Sequence, residues 1–242
     1  MAISRPFRLV YTLRAMPARE NQPVRQNPEV SASFTDLECW FSVPRMETFS
    51  NQKNPVDLYL WNARLAKAFL EDIEHFEVLL RNWIDRCVAK AWGERWYDNI
   101  NSPSNPAGLN FNSIDKRGIA KAKRRVGEAD PPPGRVIAEL TLDFWVHIFD
   151  KRHSATIHPK LISAIKHRHS IEDFAVEIQI VYRLRNRCAH HEPLVKADRN
   201  VECENVDRAL RAIENVTSWI SPDAGRWIMG NSRVRGVYAR RP

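Results

Sequence analysis

The sequence predicts an all-α protein, a helical bundle built around one long central helix. Between residues 57 and 92, apolar side chains such as Trp61, Phe69 and Leu80 recur at intervals of three or four residues, which is the pattern of one buried helix face. Strand-type alternation is absent over any useful length. A chain of 242 residues can bury one sizeable core, so we expect a single helical domain with additional short helices.

Local signals place the shorter helices. Residues 33–36 (SFTD) offer cap residues before a first helix. Residues 114–126 form a short basic helix that the DPPPG run at 130–134 stops, and apolar residues at four-residue steps predict one further helix over residues 134–149. Residues 170–173 (SIED) resemble a capping box before a helix that ends near residue 189, and another helix is expected over residues 205–220.

Composition divides the chain into an arm, a domain and a tail. Residues 1–33 hold four prolines among arginine, glutamine and asparagine residues with no helical or strand period, which predicts an extended N-terminal arm. The helical domain is expected over residues 34–230. Residues 231–242 are expected to be a basic C-terminal tail, which either adds to a nucleic-acid footprint or is an untethered end.

The charge balance favours a polyanionic partner. The chain has 37 Lys and Arg against 29 Asp and Glu, a formal net charge of +8, and basic proteins of this kind often bind nucleic acid. No signal peptide is evident, and no run of about 18 apolar residues predicts a membrane span. We therefore expect a cytoplasmic protein with reduced thiols and no membrane association.

Candidate catalytic groups lie in residues 182–193 (YRLRNRCAHHEP), at a predicted helix end. This run contains Arg185, Asn186 and the pair His190 and His191. A guanidinium remains protonated at any working pH and can neutralise a phosphate, whereas an imidazole titrates near neutral pH and can transfer protons. The grouping suits phosphodiester chemistry.

Arg185 lies seven positions after Ile178, on the predicted apolar stripe of the helix. An arginine on this stripe must meet a carboxylate, line a wet cleft or face a partner subunit. A simpler interpretation is that Arg187, His190 and His191 only complement the negative end of the helix dipole, which contributes up to about 1 kcal/mol. That interpretation does not account for Arg185.

The geometry of the helix end decides whether the histidines can reach Arg185. His190 lies five positions further along, roughly 140° around an ideal helix. Pro193 disfavours helical geometry at the preceding residue, so the last turn is expected to unwind and bring His190 or His191 back toward the arginine. Asn186 precedes His190 by four positions and is expected to orient its imidazole.

Two further groupings leave alternatives open. Glu77 either forms an intrahelical ion pair with Arg81 or reaches the cleft and pairs with Arg185. Six basic residues lie on the helix at 114–126, where they form either an RNA-tracking face or an ordinary solvated face. They are Lys116, Arg117, Lys121, Lys123, Arg124 and Arg125. The basic composition of the whole chain favours RNA.

No metal or cofactor is expected. Cys188 and His191 could begin a zinc site with Cys203 or His190, but structural zinc sites usually show two close ligand pairs and only one is visible. No Walker loop or dinucleotide fingerprint is present. The other central histidines are expected on solvated surface: His147, His153, His158, His167 and His169.

Arg185-Asn186 followed by His190 resembles the R-N-x-x-x-H signature of HEPN-domain ribonucleases. Leu184 and residues 188–193 (CAHHEP) are similar to the Abi-like (abortive infection) branch of that superfamily. Residues 58–62 (LYLWN), 76–82 (FEVLLRN) and 138–145 (AELTLDFW) resemble the other blocks of the branch, in the same order. The resemblance covers about residues 35 to 220.

The resemblance implies a bundle that dimerises, so that two Arg/His sets meet in one composite cleft and cut RNA without metal. Arg185 would contact the scissile phosphate, His190 would transfer a proton to or from the 2′-hydroxyl or the 5′-oxygen, and Asn186 would hold the site. Two positions depart from the family pattern. Asp143 replaces an expected small residue, and Glu192 stands where toxins silenced by nucleotidylation carry tyrosine, which argues against a nucleotidyltransferase antitoxin.

These features lead to a principal hypothesis and an alternative from another class. The first is a homodimeric, metal-independent endoribonuclease of a phage-defence or toxin-antitoxin system, acting on RNA such as transfer RNA under control of an antitoxin or other regulatory partner. The alternative is a catalytically silent HEPN-type module that binds RNA or protein. A DNA-binding regulator is disfavoured because no compact helix-turn-helix pattern with a turn glycine occurs.

Overall fold

The computed structural model describes residues 31–100, 108–165 and 169–242, and this part of the chain is helical without strands. The predicted all-α class is therefore confirmed. The predicted arm lies outside the described residues except for residues 31–33. In chain order the α-helices are α1 (Phe34–Phe41), α2 (Val43–Ser50), α3 (Pro55–Trp92), α4 (Ser113–Val126), α5 (Pro133–Glu139), α6 (Leu142–His147), α7 (Ile157–Ile162), α8 (Ile171–Ala189), α9 (Arg199–Ile220), α10 (Pro222–Asn231) and α11 (Val234–Tyr238).

Helix α3 is the central rod of the bundle. Its 38 residues correspond to about 57 Å at 1.5 Å per residue. Pro55 occupies its first turn, and the helix ends at Gly93, whose φ of 78° is a conformation that other residues rarely adopt. Leu58, Phe76 and Val88 are fully buried along it, and α1, α2, α6, α7, α8, α9, α10 and α11 all pack against it. The predicted long central helix is confirmed.

The capping residues behave as the sequence indicates. Ser33 and Asp36 form a capping box at α1, and Ser170 and Asp173 form another at α8. In each box the serine hydroxyl accepts from the third backbone N–H while the aspartate accepts from the serine N–H. Both helices therefore begin at the positions that local chemistry specifies.

The single helix predicted over residues 134–149 is wrong, because the segment breaks into α5 and α6. Leu140 takes an extended conformation with ψ of 129°, and Thr141 precedes the new helix. The Trp145 indole donates to the Leu140 carbonyl at 3.2 Å, and both side chains are buried. The break lets both apolar residues pack while the freed carbonyl keeps a hydrogen bond.

The C-terminal segment is packed, so the alternative of an untethered tail is wrong. Val234 and Val237 on α11 are buried, and Trp61 of α3 donates its indole N–H to the Val237 carbonyl at 2.8 Å. Arg241 Nε lies 2.9 Å from Oε1 of Glu202, and both side chains are nearly inaccessible. The last residues therefore cover one end of α3.

The expected surface location is also wrong for two histidines. His153 and His158 are buried, and burial lowers the pKa of His153 to about 4, so this ring is neutral near pH 7. A ring nitrogen of His158, Nε2, lies 3.0 Å from the Ile148 carbonyl oxygen. His167 lies outside the described residues. Within the described ranges, no helix is both long and apolar enough to cross a bilayer.

Candidate functional site

Helix α8 ends in a Schellman motif in which the two histidines have different backbone conformations. His190 is the C-cap residue with φ of −87°, and His191 adopts a left-handed conformation with φ of 58°. The Glu192 N–H donates to the Arg187 carbonyl at 2.8 Å, and the His191 N–H donates to the Cys188 carbonyl at 3.1 Å. These two bonds define the motif. The helix does unwind where predicted, through the backbone of His191.

Two side chains from other helices hold this helix end in place. Asn62 of α3 accepts from the Leu194 N–H at 2.7 Å and from the Val195 N–H at 3.3 Å with the same amide oxygen, Oδ1. Arg45 of α2 donates from Nη2 to the His191 carbonyl at 3.0 Å. Asn62 is buried, so its amide stabilises the backbone after the motif in a site that water does not compete for.

Arg185 is half-buried and faces a cavity of about 370 Å³ between α3 and α8. Glu77 and Arg81 line the same cavity. The Arg185 guanidinium donates from Nη1 to Asn186 Oδ1 at 3.2 Å, which orients its planar group. The sequence allowed Arg185 to meet a carboxylate, to line a wet cleft or to face a partner subunit. In the structure it lines a cavity that also contains the carboxyl group of Glu77.

Glu77 interacts with both arginines rather than with one. Burial raises the pKa of Glu77, and the nearby charges of Arg185 and Arg81 and the N–H of Leu142 oppose this effect without cancelling it. Arg81 also donates from Nη1 to the Ala138 carbonyl at 3.4 Å. Glu77 forms neither of the two ion pairs that the sequence allowed, but its carboxyl shares one cavity with both arginines and offsets part of their positive charge.

A hydrogen-bonded chain supports Arg185 from α6. The Tyr182 hydroxyl donates to Asp143 Oδ1 at 2.5 Å, and this bond raises the pKa of Tyr182 while a hydrogen bond with Asn186 opposes the rise. The Asn186 side chain therefore faces Arg185 and Tyr182, not His190 as expected. Sequence reasoning missed Tyr182, although it lies four positions before Asn186 on the same helix face. This contact could have been suspected from position 143, where an aspartate replaces the small residue that the family pattern leads one to expect.

Neither histidine lines the cavity that holds Arg185. His190 and His191 are both exposed. His191 lines a neighbouring cavity of about 370 Å³ that also contains Arg45, Lys67 and Glu192 and meets the Arg185 cavity at Leu70. One copy of the chain therefore brings Arg185, Asn186, Glu77 and Arg81 together and leaves His190 at the end of the same helix.

The zinc alternative gains no support from Cys188. Its thiol is buried, and burial raises its pKa to about 12, whereas zinc binds the thiolate. Among the described residues, no group of three or more His, Cys, Asp or Glu side chains is placed to hold a metal ion.

The basic face of α4 is partly neutralised. Lys123 pairs with Asp98, and Arg125 lies 3.6 Å from Glu139. Arg117, Lys121 and Arg124 are exposed. The helix forms as predicted, and its role in RNA binding stays a prediction.

A protein-family model described as Abi-like protein matches residues 40–196. The chain belongs to the Abi-like protein family. The match includes α3, the break between α5 and α6, and the whole of α8 with its terminal motif. Comparison with curated proteins found no match, and neither did comparison with solved structures. Membership of the Abi-like family suggests a function of the abortive-infection type.

The left-handed backbone at position 191 predicts opposite effects of glycine at two adjacent positions. Replacing His191 with glycine relieves a conformation that costs non-glycine residues about 1 kcal/mol. We therefore expect His191→Gly to raise the free energy of urea unfolding by about that amount. The control, His190→Gly, lies at a right-handed position and should lower the stability by about 0.5 kcal/mol. A lower stability for His191→Gly would contradict the assignment.

The pKa of Glu77 predicts how stability depends on pH. Because burial raises this pKa above its ordinary value of 4.5, the folded protein binds the proton more tightly than the unfolded chain does. Its contribution to stability is therefore lost as pH rises from the unfolded-state pKa through the folded-state pKa. Glu77→Gln removes this loss, so the variant should gain stability relative to wild type across that window.

Urea unfolding at a series of pH values measures this difference. Glu74→Gln, at an exposed position lining the same cavity, is the matched control for removing a carboxylate. A Glu77→Gln difference that stays constant with pH, or that shifts toward wild type as pH rises, would show that the carboxyl is not held in this environment.

Proposed function

We propose that this Abi-like protein is a metal-independent endoribonuclease of a phage-defence or toxin-antitoxin system, acting as a homodimer. The observation that carries the proposal is the placement of Arg185. Its guanidinium is half-buried beside a cavity, oriented by Asn186, on the helix that presents His190 at its exposed end. A purely structural arginine has no need of an open cavity in front of it.

The chemistry that these groups support is transesterification of RNA. The 2′-oxygen attacks the adjacent phosphorus while the bond from phosphorus to the 5′-oxygen breaks, giving a 2′,3′-cyclic phosphate and a 5′-hydroxyl. His190 accepts the 2′-hydroxyl proton or supplies one to the leaving 5′-oxygen. Arg185 stabilises the charge that develops on the phosphate oxygens. The nucleophile belongs to the substrate, so the protein has only to align it.

Two copies of the chain complete this chemistry better than one. Acid and base catalysis at both oxygens calls for two proton-transfer groups near the bound phosphate, whereas the histidines of one chain, His190 and His191, do not line the cavity that holds Arg185. His190 is exposed at the helix end, where a second copy can approach it. Juxtaposed α8 ends would bring two arginines and two histidines to one phosphodiester, which is the arrangement that the proposed homodimer requires.

The chain from Asp143 through Tyr182 to Asn186 gives these residues a positioning role. Asp143 fixes the Tyr182 hydroxyl, which in turn limits the rotation of the Asn186 amide, and the amide oxygen holds Arg185. Positioned charges act more strongly on a transition state than mobile ones because they need no reorganisation. The residue that departs from the family pattern thus supports the proposed catalytic arginine.

The proposal predicts loss of RNA cleavage when Arg185 or His190 is replaced. Purified protein is incubated in EDTA with end-labelled total RNA and transfer RNA, and the fragment termini are identified. Wild type should produce 2′,3′-cyclic phosphate ends. Arg185→Ala should lower the cleavage rate by about 100-fold or more, and His190→Ala by about 100-fold.

Two variants control for charge and for the helix end. Arg183→Ala removes an exposed arginine of the same helix and should cut at the wild-type rate. His191→Gly preserves the terminal motif and should remain active. Equal cleavage by wild type and Arg185→Ala would contradict the proposed site, and intact RNA with wild type under every trigger tested would favour the silent binding module.

A further inference from the structure

We infer that the substrate is single-stranded RNA and that it reaches Arg185 along a groove on the surface of α3; this inference rests on the proposed function. Three adjacent cavities make up this α3 groove. The first, of about 400 Å³, and the second share Lys67, and the second and third share Leu70. The third contains Arg185. From Arg64 to Arg81 the groove follows about 26 Å of helix.

The far end of the groove is strongly basic. Arg64, Lys67, Arg233 and Arg240 line the first cavity, and none of its lining residues is acidic. Arg233 is occupied by Glu71, to which it donates from Nε at 2.8 Å, but the other three side chains are exposed. Three exposed cations in one concave site form a surface that a phosphate backbone fits.

The middle of the groove carries an aromatic platform. Phe41 and Tyr59 line the second cavity together with Arg45, Lys67 and Glu192, and the Glu192 carboxylate lies 3.5 Å from Arg187. The two rings stack with centroids 5.5 Å apart and planes at 24°, and Phe41 is still 41% exposed. Cations beside an exposed aromatic face are the combination that binds single strands, because an unpaired base can stack on the ring while its phosphate meets the cation.

This combination favours a single strand over a duplex. The bases of an RNA duplex are stacked inside the helix and cannot lie on Phe41, and proteins contact such duplexes through phosphates and 2′-hydroxyls across the minor groove. The α4 face also has three exposed cations, Arg117, Lys121 and Arg124, but the aromatic side chain that lines the cavity beside it, Phe144, is buried and offers no surface for a base. The second cavity of the α3 groove also adjoins the third, which contains Arg185, since Leu70 lines both.

The test compares two triple variants that each remove three positive charges from exposed positions. Both are made in full-length Arg185→Ala protein, so that bound RNA is not cut. The groove variant carries Arg64→Gln, Lys67→Gln and Arg240→Gln, and the α4 variant carries Arg117→Gln, Lys121→Gln and Arg124→Gln. Fluorescence anisotropy gives the affinity for one labelled RNA, as a single strand and annealed to its complement, between 50 and 200 mM salt.

Each phosphate contact contributes about 0.7 to the slope of the logarithm of the binding constant against the logarithm of salt concentration. The groove variant, which lacks three cations, should therefore have a slope that is shallower by about two units. Its affinity should therefore fall roughly 20-fold less than that of the parent over this salt range. The α4 variant should keep the parent slope, and the single strand should bind more tightly than the duplex. Phe41→Ala should weaken single-strand binding roughly tenfold at constant slope.

Several results would overturn the inference: no binding by the parent, an unchanged slope for the groove variant, a larger effect of the α4 variant, or duplex binding as tight as single-strand binding. Thermal unfolding of each variant shows whether it retains the fold. Failure of the nuclease proposal gives a different result. If wild type cuts no RNA but the Arg185→Ala parent binds single strands through the groove, the result supports the RNA-binding groove and contradicts the proposed cleavage chemistry.

Discussion

The fixed end of helix α8 is the constraint on which the site depends. The Schellman bonds from His191 and Glu192 stop the helix, and the buried amide of Asn62 binds the backbone that follows it to α3. Together they end α8 at His190 and hold the backbone that follows it against α3. Because α3 is packed along most of its length, this end of α8 is held by the whole bundle and not by local propensity alone.

Electrostatics explain why a half-buried arginine is useful at this position. A guanidinium that loses water needs compensation, and here Asn186 and Glu77 supply it only in part. Burial raises the pKa of Glu77, and this one carboxyl shares the cavity with two guanidinium groups, those of Arg185 and Arg81, so it offsets at most one of the two positive charges. An entering phosphate would complete the compensation. The same incomplete pairing that costs stability in the free protein therefore favours an anionic ligand.

Local sequence signals predict the parts of this molecule that depend on local interactions. Helical periodicity indicates α3 over nearly its true length, and the capping boxes at Ser33 and Ser170 mark where α1 and α8 begin. The break at Leu140 could not be predicted, because it depends on burying the indole that takes up the freed carbonyl. The pairing of Asp143 with Tyr182 joins positions 39 apart, which no periodicity encodes.

The same distinction between local signals and long-range contacts applies to the proposed site. Arg185, Asn186 and His190 can be selected from one short run of sequence, but their surroundings cannot. Glu77 and Arg81 reach the cavity from α3, and the end of α8 depends on a left-handed residue, His191, that is not a glycine. Glycine is the usual signal for such a helix end, so its absence conceals the motif from sequence inspection.

The most direct test of the account is cleavage of an oligonucleotide that carries a single 2′-O-methyl group at the nucleotide 5′ to the mapped scissile phosphate. This bond should stay intact while the modified RNA competes for binding as well as the unmodified RNA, because the methyl group removes the nucleophile and leaves the phosphates in place. Cleavage of the modified bond at the unmodified rate would contradict the account, since an external nucleophile would then be attacking the phosphate.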